Sequence, residues 1–299
     1  MKGTLEFGNI YTQTIEANWL EKKDTVLDIL RIDLLHEVVS GNKWFKLQYY
    51  LQDARQRGYD TIATLGGAYS NHIIATAFAS KYAGIKSIGV IRGERPRVLS
   101  RTLEQAMEAG MELDFVSRSI YSDKASIMQQ LPGVYWVNEG GFGIRGAEGA
   151  AEILQYNPHA FKYTHIACAV GTGTMMAGLI IASTQKQQVI GISAMKGNLG
   201  LEQQVQSLLP VQEQVKNFHI FHDYHFGGYA KHPPELIHYM NQLWEQHRLP
   251  TDIVYTAKTF YAVEQMVTQS LIPPGSKILM IHSGGLQGNR SLPDKTLAF

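Results

Sequence analysis

The chain has a single cysteine, Cys168, so it can form no internal disulfide and no metal cluster built on cysteines alone. Charge is also sparse: 18% of residues are Asp, Glu, Lys or Arg, and 27 basic residues against 26 acidic ones leave a net charge of +1. A nucleic-acid binder would need a basic stripe to meet phosphates, and none is present. The start, MKGTLEFGNI, lacks the apolar segment of a secretory leader. No charged residue occurs between Lys162 and Lys186, but Gly171, Thr172, Gly173 and Thr174 break that run midway, so it reads as a strand, a glycine turn and a buried helix rather than a membrane span. These absences predict a soluble cytoplasmic protein without nucleic-acid or membrane partners.

Apolar residues make up 44% of the 299, enough for a sizeable core in one large domain or two. Short β-branched runs predict strands at 26–32, 61–65, 87–91, 113–117, 134–137, 165–170, 189–193, 218–221 and 277–281. Amphipathic stretches alternate with them: Trp44 to Ala54, 98–109, 147–156 and 234–248. Strands joined by helices imply an α/β fold with mainly parallel sheets. Composition shows no linker and no domain boundary.

In three segments a predicted strand runs into a small-residue loop: 61–79 (TIATLGGAYSNHIIATAFA), 165–182 (HIACAVGTGTMMAGLIIA) and 277–289 (KILMIHSGGLQGN). Ligands of open α/β sheets bind beyond the carboxyl ends of strands, so these loops predict one cleft. Gly171 to Thr174 open a helix, whose free amides and dipole attract an anion. A dinucleotide site would want glycine at Met176 and an acid about 20 residues on; both are missing, and no Gly-Lys-Ser/Thr occurs. A single phosphate monoester fits better. Lys43 follows a Gly-Asn turn at a helix start, where the dipole disfavours an ammonium and suits a Schiff-base lysine. Lys46, one turn on, reads as a solvated residue. Ser70 and Asn71 are ordinary N-cap types, yet with His72 they could hold a carboxylate. Ile281 breaks the Gly-x-Ser-x-Gly of a hydrolase elbow around Ser283. His219, His222 and His225 form no zinc-like spacing with a second ligand pair; on one strand, His219 and His225 would share a face and His222 would point away, so no metal is expected. Cys168 reads as a small core residue.

Seven motifs, SGNKWFKL, GGAYSNH, NEGGFGIRGAEGA, AVGTGTMMAG, GGYAK, DIVYTAK and IHSGG, occur in an order that resembles the D-cysteine desulfhydrase and 1-aminocyclopropane-1-carboxylate (ACC) deaminase family, from about Arg31 to Gly285. The resemblance implies the tryptophan synthase β-like fold of pyridoxal phosphate (PLP) enzymes. It implies a larger domain from 1–46 plus 154–299, a smaller inserted one at 47–153, and a homodimer. It makes Lys43 the Schiff-base lysine, sets Asn71 on the cofactor 3-oxygen, and sets Gly171, Thr172, Gly173 and Thr174 around its phosphate. Ser70, Asn71 and His72 would take the substrate carboxylate. Tyr229 and Tyr255 match two active-site tyrosines, Thr256 the residue facing the pyridine nitrogen, and Ser283 a second hydroxyl position at the cofactor. Phe45, Tyr69 and Ile74 depart from the family's usual arginine, glutamine and arginine near the cofactor and carboxylate. ACC deaminases carry glutamate and leucine where Thr256 and Ser283 stand, whereas desulfhydrases carry hydroxyls. The resemblance therefore implies β-elimination from a D-amino acid ahead of ACC ring opening, with β-replacement, threonine dehydration or a binding module without turnover as the other readings.

Overall fold

The computed structural model describes residues 8–299; the leader expectation rests partly on residues 1–7, which lie outside them. Among the described residues ten strands form two sheets: β1 Thr12–Ile15, β2 Val26–Leu30, β3 Thr61–Gly66, β4 Lys86–Arg92, β5 Met111–Val116, β6 Tyr135–Val137, β7 His165–Val170, β8 Gln188–Ser193, β9 Phe218–Phe221 and β10 Lys277–Ile281. The larger sheet runs β1-β2-β10-β7-β8-β9 and the smaller β5-β4-β3-β6. Among the described pairings only β1 with β2 is antiparallel. Parallel strands need helical crossovers that cover both faces, which is why β7 is buried throughout. The smaller sheet comes from one stretch of chain between β2 and β7. The helix Asn42–Gln56 runs without a break through the 46/47 position where the resemblance set a boundary.

All nine expected strands are present, three with the expected bounds and six with one or both ends shifted by one or two residues. β1 was not expected: its sequence, TQTI, has one buried apolar residue, and it forms an edge of the sheet. The 165–182 stretch is β7, a glycine turn and the helix Thr174–Ala182. Among the described residues no helix is long and apolar enough to cross a membrane. The strand at 218–221 ends at Phe221 as expected, so His219 lies in it and His222 and His225 lie beyond it. His219 stacks edge-on against Phe221, and His222 pairs with Glu202 at 2.8 Å. Cys168 is fully buried in the main core, and burial pushes its thiol up to about 12.

The glycine-rich motif 138–150 has a packing role. Its helix, Ile144–Ala151, lies between the 42–56 and 174–182 helices. A Cβ on Gly149 would sit 1.8 Å from the Phe45 carbonyl oxygen, and one on Gly178 2.6 Å from that of Ala147. Helix backbones this close exclude any side chain. Gly149→Ala should therefore cost about 1–3 kcal/mol or more in chemical denaturation. Gly200→Ala, at φ −93° with open space around it, should stay within about 0.5 kcal/mol.

Candidate active site

The loops after β3, β7 and β10 meet, although β3 belongs to the other sheet. Asn71 Nδ2 donates to the Gly285 carbonyl at 3.3 Å, tying the first loop to the third. Gly171, in the second, lies so close to Tyr255 that a Cβ there would sit 3.2 Å from the ring. The 40–43 turn docks onto the third loop: the Asn42 amide donates to the Ser283 carbonyl at 3.2 Å. Gly41 has φ +62°, and a Cβ on it would sit 2.0 Å from that same oxygen, so glycine is required twice over.

This docking sets Lys43 at the start of the 42–56 helix, with its ammonium on Asn42 Oδ1 at 2.9 Å. Burial pulls the amine down to about 8, with the Asp252 carboxylate opposing. Lys46 is not solvated. It is 4% exposed and donates to the Gly140 carbonyl at 3.3 Å, and Gly140 itself packs on Thr172 of the glycine loop. Burial, then the charge of Lys43, holds Lys46 well below the ordinary lysine range. A second buried amine therefore lies near the glycine loop. The signal for it is spacing: Lys46 follows Lys43 by three residues on one helix face.

Ser70 caps the helix Asn71–Ala83, accepting from the His72 amide at 3.2 Å and the Ile73 amide at 3.4 Å. The His72 amide, expected to be free for a carboxylate, is thus bonded to Ser70 Oγ. The His72 ring is buried. Thr64 gives its hydroxyl proton to the Val137 carbonyl at 2.7 Å, so at 2.8 Å it accepts from His72 Nε2. Burial, then the charges of Lys43 and Lys46, lowers the His72 imidazole well below its ordinary range. One buried atom here, Asn71 Oδ1, has no partner within the chain.

The glycine loop places Gly171 and Gly173 (φ +77°) ahead of Thr174, with the Thr172 and Thr174 hydroxyls 3.0 Å apart. Asp252 organises the next wall. Its Oδ2 accepts from the Val254 and Tyr255 amides and its Oδ1 from the Thr256 amide and hydroxyl, all at 2.7–2.9 Å. Thr256 is fully buried beside it. Tyr255 and Tyr229 meet edge to face at 6.2 Å between centroids. Burial raises both hydroxyls, Tyr255 further, while a hydrogen bond from Tyr255 offsets part of the rise at Tyr229. Of the three departures, Phe45 and Ile74 are buried, and Tyr69, next to Ser70, is 52% exposed.

The profile of pyridoxal-phosphate dependent enzymes matches residues 6–284. The chain belongs to this family of pyridoxal-phosphate enzymes. Among its relatives is a Thermotoga maritima protein provisionally named 1-aminocyclopropane-1-carboxylate deaminase, 32% identical over 294 residues, covering 90% of this chain and 91% of that one. An Arabidopsis thaliana protein named bifunctional D-cysteine desulfhydrase/1-aminocyclopropane-1-carboxylate deaminase, mitochondrial, is 29% identical over 88% of this chain and 73% of its own. A crystal structure described as an ACC deaminase homologue superposes with a TM-score of 0.81 at 24% identity, covering 98% of this chain and 94% of that one. That likeness shows the shared fold of the pyridoxal-phosphate enzymes.

The perturbed amine gives a direct expectation. Reductive alkylation of Lys43 in the apoprotein by a small aldehyde should rise with pH to half its maximum near pH 8, since the neutral amine is the reactive form. Peptide mapping across a pH series would follow it. A midpoint near 10, that of ordinary lysines, would contradict the burial described.

Proposed function

We propose that this pyridoxal-phosphate enzyme is a deaminating lyase that expels the β-substituent of D-cysteine or a related β-substituted D-amino acid. D-cysteine and water would give pyruvate, ammonia and sulfide. The residues present fit the cofactor. The amide of Asn71 keeps a spare N–H and an unpartnered oxygen, Gly173 (φ +77°) turns the chain into the first-turn amides of the 174–182 helix, which suit a phosphate, and Lys46 supplies a nearby amine.

In this reading Lys43 carries the cofactor, Asn71 takes its 3-oxygen, and Gly171 to Thr174 with Lys46 take its phosphate. Ser283 lies in the loop against which Lys43 is docked. When bound, the cofactor supplies an electron sink for the α-carbon. Lys43 Nζ, which burial pulls down to about 8 so that the neutral amine forms as the pH rises through that value, is the base that takes the α-proton. Ser70, with the Asn71 and His72 end of the helix, orients the carboxylate; for its amide to serve, His72 would give up its bond to Ser70 Oγ. Tyr229 and Tyr255 form the wall where the β-substituent leaves, and Tyr229, whose hydroxyl is the more acidic of the two, is the better placed to hand it a proton.

The observation that carries the choice of reaction is the environment of Thr256. Both oxygens of the one carboxylate beside it, Asp252, are taken up by backbone amides and by the Thr256 hydroxyl. At the position assigned to the pyridine nitrogen the chain offers a neutral hydroxyl oxygen and no free carboxylate. ACC has no α-proton and its ring must be opened at another carbon, which asks for a stronger sink, one that a carboxylate partner would support. Elimination from a substrate with an α-proton asks for less. ACC ring opening to 2-oxobutyrate and ammonia stands as the second reading because both relatives above carry that activity in their names.

Purified holoprotein should release sulfide and pyruvate from D-cysteine, far less from L-cysteine, and no 2-oxobutyrate from ACC. The reverse pattern, 2-oxobutyrate from ACC without sulfide, would overturn the choice of reaction. Lys43→Ala should abolish turnover together with the visible absorption band of the bound cofactor. A protein with no such band even after added pyridoxal phosphate would overturn the assignment of the site.

A further inference from the structure

Among the buried amines, Lys258 stands outside the machinery described so far. It lies in the helix Thr256–Thr268, two residues after Thr256, and is 1% exposed. Its ammonium donates to the His225 carbonyl at 2.9 Å and to the Gly228 carbonyl at 2.8 Å. These carbonyls belong to the loop that delivers Tyr229. Burying a lysine costs several kcal/mol unless its donors are satisfied, so the side chain and the loop hold each other in place.

The loop needs such a hold. Phe226 (φ +50°), Gly227 (+89°), Gly228 (+125°) and Ala230 (+55°) all adopt left-handed or glycine-type backbone, two of them without being glycine. Such a backbone costs of order 1 kcal/mol per non-glycine residue and persists where surroundings enforce it. Internal bonds are few: the Gly228 amide to the His225 carbonyl at 3.0 Å, the Lys231 amide to the Gly228 carbonyl at 3.2 Å, the Gly227 amide to His225 Nδ1 at 2.9 Å, and His232 Nδ1 with the Ala230 carbonyl at 2.8 Å. From the 256–268 helix come two further contacts, the Phe226 ring edge-on to Tyr261 at 4.9 Å and the Lys258 ammonium. Asp252 is the carboxylate whose field reaches that ammonium, and burial outweighs it, leaving the amine near 8.

We propose that Lys258 is the positioning residue of Tyr229: seated on the two carbonyls that precede Tyr229 in the loop, its ammonium fixes the hydroxyl of that tyrosine against Tyr255 at the cleft. The inference rests on the reading above that Tyr229 serves the substrate. Asp252, just ahead of the helix, and Lys258, within it, then share one task. The carboxylate sets the start of the helix, and with it Tyr255 and Thr256, while the amine brings the opposing loop onto them.

The test uses the holoenzyme and three variants, Lys258→Met, Tyr229→Phe and the double replacement. If Lys258 acts through Tyr229, Lys258→Met lowers kcat for D-cysteine by about a hundred-fold, as a misplaced catalytic group does. The affinity for pyridoxal phosphate, titrated by its visible band, changes less than about two-fold. The double variant is then no slower than the slower single one, because the second change removes a group already misplaced. Losses that multiply in the double variant, or cofactor affinity falling in step with kcat, overturn the proposal. Hydrogen exchange gives a readout free of turnover. Amides of 226–231 should exchange at least about ten-fold faster in Lys258→Met, with β7 and β10 unchanged, and unaltered loop exchange overturns the proposal. Should Lys258→Met not fold, Lys258→Gln, which keeps N–H donors without the charge, carries the same comparison. Wild-type protein that turns over no D-cysteine refutes the proposed reaction alone, and loop exchange then still decides the role of Lys258.

Discussion

The contact on which the site depends is the docking of the Ser40–Lys43 turn onto the loop after β10. Gly41 lies against the Ser283 carbonyl with no space for a side chain, and the Asn42 amide bonds the same oxygen. That one carbonyl fixes where the 42–56 helix begins and so where the Lys43 amine points. It also joins the larger sheet, through the loop after β10 that carries Ser283, to a helix that packs against the smaller one. Asn71, bonding the Gly285 carbonyl from the smaller sheet's side, completes the connection.

Around this junction the chain concentrates groups that cost free energy to bury. Three lysines, 43, 46 and 258, have their pKa values lowered by burial. Asp252 reaches two of them while spending its own oxygens on the start of a helix. Asn71 leaves its Oδ1 buried without a partner inside the chain, as a side chain that meets a bound group does.

Much of this was legible in the sequence. Runs such as HIACAV and TIATLG carry the strand signal because parallel strands are buried on both faces, and the small-residue loops after them mark where a ligand can approach the backbone. Other parts were not. The edge strand TQTI is largely polar, and the 256–268 helix is buried around most of its surface, so it shows no clean amphipathic stripe. The nesting of the smaller sheet leaves no compositional trace, since both sheets use the same residue types. Lys46 and Lys258 read as surface residues because a lysine is solvated by default; their burial depends on carbonyls of Gly140, His225 and Gly228, distant in sequence. Phe45 and Ile74 stand where the family usually has arginines, and both are buried.

The central claim is that Lys43, and neither of its two buried neighbours, bears the cofactor. Borohydride reduction of the holoprotein, followed by proteolysis and mass mapping of the pyridoxyl label, tests it most directly. The label is predicted on the peptide containing Lys43, at the Lys43 side chain. A label on Lys46 or Lys258, or none on any lysine of a protein that shows the bound-cofactor band, would contradict the account.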